Sequence, residues 1–303
     1  MPRLALPGGA PRAAPAPDRR HPQNRLNDLT NREWLIATKS VWYSRPGARD
    51  RLKVRHPATF AETDVAALIR FFSKRGERVL DPFLGTGSAL IACRAEGRRG
   101  VGIELLPEWV QVARDRLGLD FGDQEVIRGD AREVLAGLPE EGFDFIVTSP
   151  PYWQILRKDR DHKATRERKA RGLGTRYSDA PEDLGNHVSY DGFRGELRRV
   201  WAGCFRALRA GRYLAIVVSD FRHRERFIPY HAHTAEDAEA AGFALQGITV
   251  LVQDNKALYP YGMPHAFVSN VHHQYILVLR KPRKGARHLF RREKVPGTFS
   301  SPL

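Results

Sequence analysis

The chain has 303 residues, 42% of them hydrophobic, with a formal net charge of +15 and a pI near 10.2, enough for one large α/β domain with insertions or two small domains. No run approaches the roughly 18 apolar residues of a membrane span, and the Pro-, Ala- and Arg-rich start lacks the apolar core of a secretory signal. Cys93 and Cys204 build no disulfide framework, so a reducing cytoplasm is expected, and no Cys/His cluster has zinc-like spacing, so no metal is expected.

Along the chain, residues 1–28 show no apolar period and are expected to be disordered. Leu29-Thr30-Asn31-Arg32-Glu33 holds a capping box and predicts a helix running through Trp34 to Val41 and Trp42. Apolar residues at helical spacing predict a second helix over 64–72. Strands are expected at 78–82, 100–104, 125–128, 143–148, 213–219, 245–253 and 274–280. Seven strands, the early ones separated by helices, imply a mostly parallel sheet with crossovers, closed by an antiparallel hairpin of the last two. Cys93 and Cys204 fall in helical stretches and read as small buried residues. Three stretches have no period: 154 to about 186, 221–233, and 254–270. The last contains Pro260-Tyr261-Gly262-Met263-Pro264, a second substrate-facing loop by its position.

The chemistry concentrates where strands end. The strand at 78–82 finishes in Asp81 and turns through Phe83-Leu84-Gly85-Thr86-Gly87-Ser88 into a helix. Glycines let a ligand approach the backbone, and the helix start offers unpaired N–H groups. The next strand ends in Glu104, placed to hold a pair of ribose hydroxyls, and the third leads to Asp130, which also reads as an ordinary turn and cap. A dinucleotide oxidoreductase would carry a third glycine where Leu90 stands, which sets that reading aside.

The strand at 143–148 runs into Ser149-Pro150-Pro151-Tyr152-Trp153. Two prolines cannot donate to a sheet ladder, so the chain leaves the sheet with a rigid, extended backbone. The Ser149 hydroxyl and the Pro150 carbonyl can accept both protons of an exocyclic amine, and Tyr152 can stack on the ring that bears it. Trp153 suits either the pocket wall or the core. Chemistry on a ring carbon that needs a thiolate nucleophile is disfavoured here, because neither cysteine lies near the proline motif.

These segments resemble the S-adenosylmethionine-dependent amino-methyltransferases that modify exocyclic amines of DNA bases. The match rests on Asp81 to Ser88, Glu104, Asp130 and Ser149 to Tyr152, with His56-Pro57-Ala58-Thr59-Phe60 similar to the family's extra cofactor motif and His273 to Lys281 similar to its closing strand. The resemblance implies a class I methyltransferase fold, Rossmann-like, and S-adenosyl-L-methionine as cofactor. It further implies that Asp81 faces the methionine amino group, Phe83 and Phe60 pack near the cofactor, and Gly85 and Gly87 allow close approach. Glu104 would bind the ribose, Asp130 the adenine amine, and Ser149, Pro150, Pro151 and Tyr152 would act on the target. Ser149 in the first motif position is typical of cytosine-N4 enzymes, with adenine N6 the alternative; RNA methylation, or a nucleic-acid-binding module without activity, stands further back. Duplex DNA with a flipped target base is the implied partner, and a cognate restriction nuclease is compatible with it.

The expected organisation is a basic, Pro-rich tail over 1–28, a catalytic domain over 29–281 with a DNA-contacting insertion at about 154–190, and a basic tail over 282–303. The insertion carries Arg157, Lys158, Arg160, Lys163, Arg166, Arg168, Lys169, Arg171 and Arg176, immediately after Tyr152 and Trp153. A positive loop beside a base pocket is where a phosphate backbone would lie; a solvated helix with paired charges is the alternative.

Overall fold

The computed structural model describes residues 19–45, 47, 61–119, 121–154, 180–254 and 256–283. The apolar run Phe143–Thr148 forms strand β5, buried at every residue, in the interior of the sheet. On one side of it lie β2 (Arg78–Asp81), β3 (Arg99–Glu104) and β4 (Gln124–Arg128); on the other lies β6 (Leu208–Val218). All four neighbouring pairs in this group are parallel. Beyond β6 come β10 (His273–Arg280), antiparallel to it, and β9 (Ala244–Val252), antiparallel to β10. The seven expected strands and the antiparallel end of the sheet are therefore present, in the order β4-β3-β2-β5-β6-β10-β9. This is the α/β, Rossmann-like arrangement of a class I methyltransferase.

Helices cover both faces. On one face lie α2 (Glu62–Phe72) and α3 (Ser88–Ala95), and on the other α5 (Ala131–Gly137), α6 (Tyr190–Ala207) and α7 (Tyr230–Ala240); α4 (Pro107–Leu117) packs beside α3. The period-2 direction of strand side chains feeds both layers. Leu214, Ile216 and Val218 of β6 join one core, and Ala215 and Val217 join the other. Helix α6 buries Phe193, Leu197, Val200, Trp201 and Cys204, a 3–4 spacing that turns one stripe inward. Cys93 and Cys204 are both buried in helices, as expected, and burial pushes both thiols well above the usual thiol range.

Three local expectations are corrected. Residues 19–28, expected to belong to a disordered tail, are folded onto α2: the buried Asn27 donates from Nδ2 to the Phe71 carbonyl at 2.7 Å, and Lys74 Nζ donates to the Asn24 carbonyl at 2.8 Å. The capping box of α1 (Asn31–Ala37) is present between Thr30 and Glu33, but the helix stops before Val41. Val41–Tyr43 instead forms a short edge strand, β1, parallel to β9 with Val41 opposite Val250, and Trp42 packs into the core behind it. β-branched and aromatic residues fit that pleated edge better than a further helical turn. Finally, 221–233 is regular: β7 (Phe221–His223) and β8 (Arg226–Ile228) pair as a hairpin, and α7 begins at Tyr230.

Candidate active site at the carboxyl edge of the sheet

Strands β2, β3, β5 and β6 run parallel, so all four deliver their last residues to one edge. Asp81 ends β2 and is only 4% exposed. Its Oδ1 accepts hydrogen bonds from the Phe83 amide at 3.0 Å and from Thr148 Oγ1 at 2.7 Å. Burial raises its carboxyl pKa to about 6, against the lowering pull of those two bonds. Oδ2 makes no hydrogen bond among the described residues, so the group keeps an open acceptor suited to an ammonium.

The turn beyond Asp81 is built around its glycines. Gly85 and Gly87 have φ of 54° and 86°, backbone that side-chain-bearing residues rarely adopt, and a Cβ on Gly87 would press within 3.1 Å of Ala113. Glu104, at the end of β3, braces the turn from the side: Oε2 accepts from the Gly85 amide at 2.8 Å and Oε1 from the Leu106 amide at 2.9 Å. Burial pushes its pKa up to about 7, the two backbone bonds offset part of that rise, and Asp81 adds to it. Glu62 ties α2 to the same turn by accepting from Ser88 Oγ at 3.0 Å and Arg116 Nη2 at 2.6 Å. Phe83 is half-buried, edge-on to Trp201. These groups fit the cofactor that the motifs imply: a buried acid with an open acceptor, a glycine turn free of side-chain bulk at Gly85 and Gly87, and a second acid one strand away.

Asp130 is engaged differently. It is the N-cap of α5, accepting from the Arg132 amide at 2.9 Å, and its two oxygens take the Arg132 guanidinium, with Nε at 3.0 Å from each. These bonds hold its carboxyl below the usual range despite burial. Phe60 and the basic residues Arg157, Lys158, Lys163, Arg166, Arg168, Lys169 and Arg171 lie outside the described residues.

The proline motif follows directly on Thr148, so the hydrogen bond from Thr148 to Asp81 joins the proline motif to the glycine turn. Ser149 is half-buried, and among the described residues its hydroxyl makes no hydrogen bond. Tyr152 is 9% exposed, with its ring between Phe221 and Tyr230 and its hydroxyl accepting from the Ser219 amide at 2.8 Å. Burial pushes its pKa up to about 12. Tyr230 donates from its own hydroxyl to the Pro151 carbonyl at 2.9 Å, which fixes the bend from below. Trp153 is half-buried and packs against the core, its ring 4.4 Å from that of His223 and 5.3 Å from that of Tyr190, and it donates to the His187 carbonyl at 2.8 Å.

Sequence reasoning missed a further polar pair at this edge. Asp220, just past β6, accepts at Oδ1 from the His231 amide at 3.1 Å and from His231 Nδ1 at 2.7 Å. A carboxylate only accepts, so Nδ1 carries the hydrogen and Nε2 is turned away from the acid. The His231 ring stacks on Tyr275 at 4.0 Å. The signal that singled out Asp81 and Glu104, an acid where a buried strand stops, was present here also. Among the described residues no group of His, Cys, Asp and Glu is arranged to hold a metal ion, and no helix is long and apolar enough to cross a membrane.

Comparison with known proteins bears on this geometry. The sequence model of a family described as DNA methylase matches residues 14–115. The tRNA (guanine(10)-N2)-dimethyltransferase of Methanothermobacter thermautotrophicus is 45% identical over 134 residues, 42% of this chain and 38% of its own length. The type II methyltransferase M.Cfr9I of Citrobacter freundii is 44% identical over 73 residues, 24% of each chain. A solved structure of a candidate DNA modification methylase from Thermus thermophilus shares 32% identity over 51% of each chain, with a TM-score of 0.35. The fold assignment rests on the strand order rather than on that superposition. The chain spans less than half the length of these two curated relatives. Over these segments the chain is similar to a DNA methylase family, in the region that holds the glycine turn with Asp81 and Glu104, and to curated methyltransferases.

Proposed function

We propose that the protein transfers a methyl group from S-adenosylmethionine to the exocyclic N4 amine of cytosine in duplex DNA. The observation that carries this reading is the contact between Thr148 and Asp81, which sets the Ser149-Pro150-Pro151-Tyr152 bend beside the glycine turn. Bound at that turn, S-adenosylmethionine supplies an electrophilic methyl group. Asp81 Oδ2 is the acceptor for the methionine ammonium, and Glu104 is the acceptor for the ribose hydroxyls. An exocyclic amine is a poor nucleophile because its lone pair is delocalised into the ring. Ser149 Oγ and the Pro150 carbonyl, each without another hydrogen bond among the described residues, accept the two amine protons and localise that lone pair on nitrogen. Holding the amine there in line supplies most of the rate. No strong base would be needed beforehand: the amine would become acidic only as the N–C bond formed and the methyl–sulfur bond broke, with the neutral thioether as leaving group and the amine proton passing to solvent. The target has to leave the duplex, and the half-buried Trp153 ring beside the bend offsets part of the cost of unstacking, while Tyr152, buried between Phe221 and Tyr230, shapes the bend from within.

The choice of cytosine rests on Ser149, a neutral hydroxyl where adenine-N6 enzymes of the resembling family mostly carry Asp or Asn. A second reading has a specific observation behind it: the archaeal relative is named for a tRNA guanine N2, which is also an exocyclic amine. Incubation with cofactor carrying a tritiated methyl group, in parallel on duplex DNA, RNA and protein, separates these readings. Label in DNA is the expected result, and label in RNA alone refutes the DNA assignment.

A further inference from the structure

The connection between β9 and β10 is not used by the chemistry above, yet it sits at the same edge. β9 ends at Val252 opposite His273, the first residue of β10, and Tyr275 of β10 lies opposite Val218, the last residue of β6. Ser219 Oγ donates to the His273 carbonyl at 3.2 Å while the Ser219 amide donates to Tyr152, so the base of the connection touches the proline motif through one residue.

From that base the chain carries large apolar side chains into solvent. Leu258, Met263 and Phe267 are 75%, 74% and 88% exposed. Single exposed apolar residues are ordinary, but several on one connection beside an active site mark a surface that meets a partner. Local bonds shape the connection: Asn270 donates from Nδ2 to the Tyr259 carbonyl at 2.9 Å and accepts the Tyr259 amide at 3.0 Å, and the Tyr259 and Tyr261 rings lie 5.5 Å apart. The amides of His265 and Ala266 both donate to the Gly262 carbonyl, at 2.8 and 2.7 Å. Gly262 has φ of 73°, and a Cβ there would meet the Ala266 carbonyl oxygen at 2.3 Å, so this turn requires glycine. Residues 256–272 include no Asp or Glu, in a chain of net charge +15.

An apolar, acid-free projection next to a site that acts on a base turned out of the stack fits one occupant. Turning a base out leaves its neighbours unstacked and opens a gap in the duplex, and apolar side chains such as Phe, Leu and Met are the kind that DNA-binding proteins insert between base steps. We propose that the connection is a base-stacking wedge, in which Leu258, Met263 and Phe267 cover the DNA bases left unstacked when the target enters the Ser149–Tyr152 site. This rests on the proposed action on a DNA base.

The test uses the full chain and its Leu258→Ser/Phe267→Ser double variant, both changes being at exposed positions. Fluorescence anisotropy follows binding to a mixed-sequence duplex and to the same duplex with one abasic site, across a salt series. Wild type is expected to prefer the abasic duplex, and the variant to lose that preference with a roughly tenfold weaker affinity, as one lost stacking contact predicts. The salt slope should stay the same, because no phosphate contact is removed, and cofactor affinity should be unchanged. Equal DNA affinity of variant and wild type overturns the wedge while tritium transfer into DNA leaves the proposed function standing. Loss of self-association in sedimentation with DNA binding intact also overturns it, by assigning the connection to a contact between copies. Absence of both DNA binding and methyl transfer by wild type overturns both readings together.

Discussion

Replacing Glu104 by Gln tests the cofactor side, because the burial that lifts this carboxyl to about 7 puts its titration in an accessible range. Ribose hydroxyls donate hydrogen bonds, so binding favours the ionised carboxylate. Below its pKa the free protein holds a proton there that must be released on binding, and affinity therefore rises with pH. With one pKa unit worth about 1.36 kcal/mol, a group titrating near 7 in the free protein weakens binding by about tenfold between pH 8 and pH 6. Asp81, raised to about 6, is the proposed acceptor of the ammonium in the same ionised form and in that role contributes a further factor of about two over that range. In Glu104→Gln only that factor of about two should remain, on top of weaker binding throughout. Isothermal titration calorimetry at pH 6, 7 and 8, in buffers of different ionisation heat, reads both affinity and protons released; Glu104 alone should release about one proton per cofactor near pH 6. Wild-type affinity that is flat from pH 6 to 8, or a Glu104→Gln variant with the same slope, refutes this account of Glu104. Asp130→Ala should weaken binding less, since Arg132 already occupies both Asp130 oxygens.

Ser149→Ala should cut turnover sharply and leave cofactor affinity intact if its hydroxyl acts on the amine in the transition state as proposed; an unchanged single-turnover rate would make it a structural group. Tyr152→Phe removes the acceptor of the Ser219 amide and should destabilise the fold by about 1–2 kcal/mol in urea unfolding, where no shift in midpoint would count against that bond. Neutralising Arg166, Arg168, Lys169 and Arg171 together should lower the log–log salt slope of DNA binding by about one unit per lost phosphate contact, with cofactor affinity unchanged. An unaltered slope would make that segment a solvated face.

The strands were legible because they are apolar runs bounded by turn residues, and the cofactor turn was legible because glycines and acids fell where those runs stopped. What escaped was short or nonlocal. β1 is three residues long, and its Trp42 gains its place only from the core behind it. Asn24 and Asn27 look like coil, yet their partners Lys74 and Phe71 lie more than 40 residues away. The Thr148–Asp81 bond spans 67 residues, and the Asp220–His231 pair depends on a hairpin of two three-residue strands that no period announces. The motif by itself presents Tyr152 as an open stacking surface, whereas the fold buries most of its ring against Phe221 and Tyr230. Motif spacing says which side chains are available; only the packing says how much of each is left for a ligand.

The most direct test of the central claim is the identity of the methylated nucleoside. Duplex DNA incubated with the protein and S-adenosylmethionine is digested to nucleosides and resolved by mass spectrometry. The account predicts N4-methylcytosine, lost in Ser149→Ala. N6-methyladenine alone would contradict the cytosine assignment and keep the amine chemistry. C5-methylcytosine would contradict the mechanism itself, because both cysteines are buried in helices with their thiols held in the neutral form and neither is available as a nucleophile at the site.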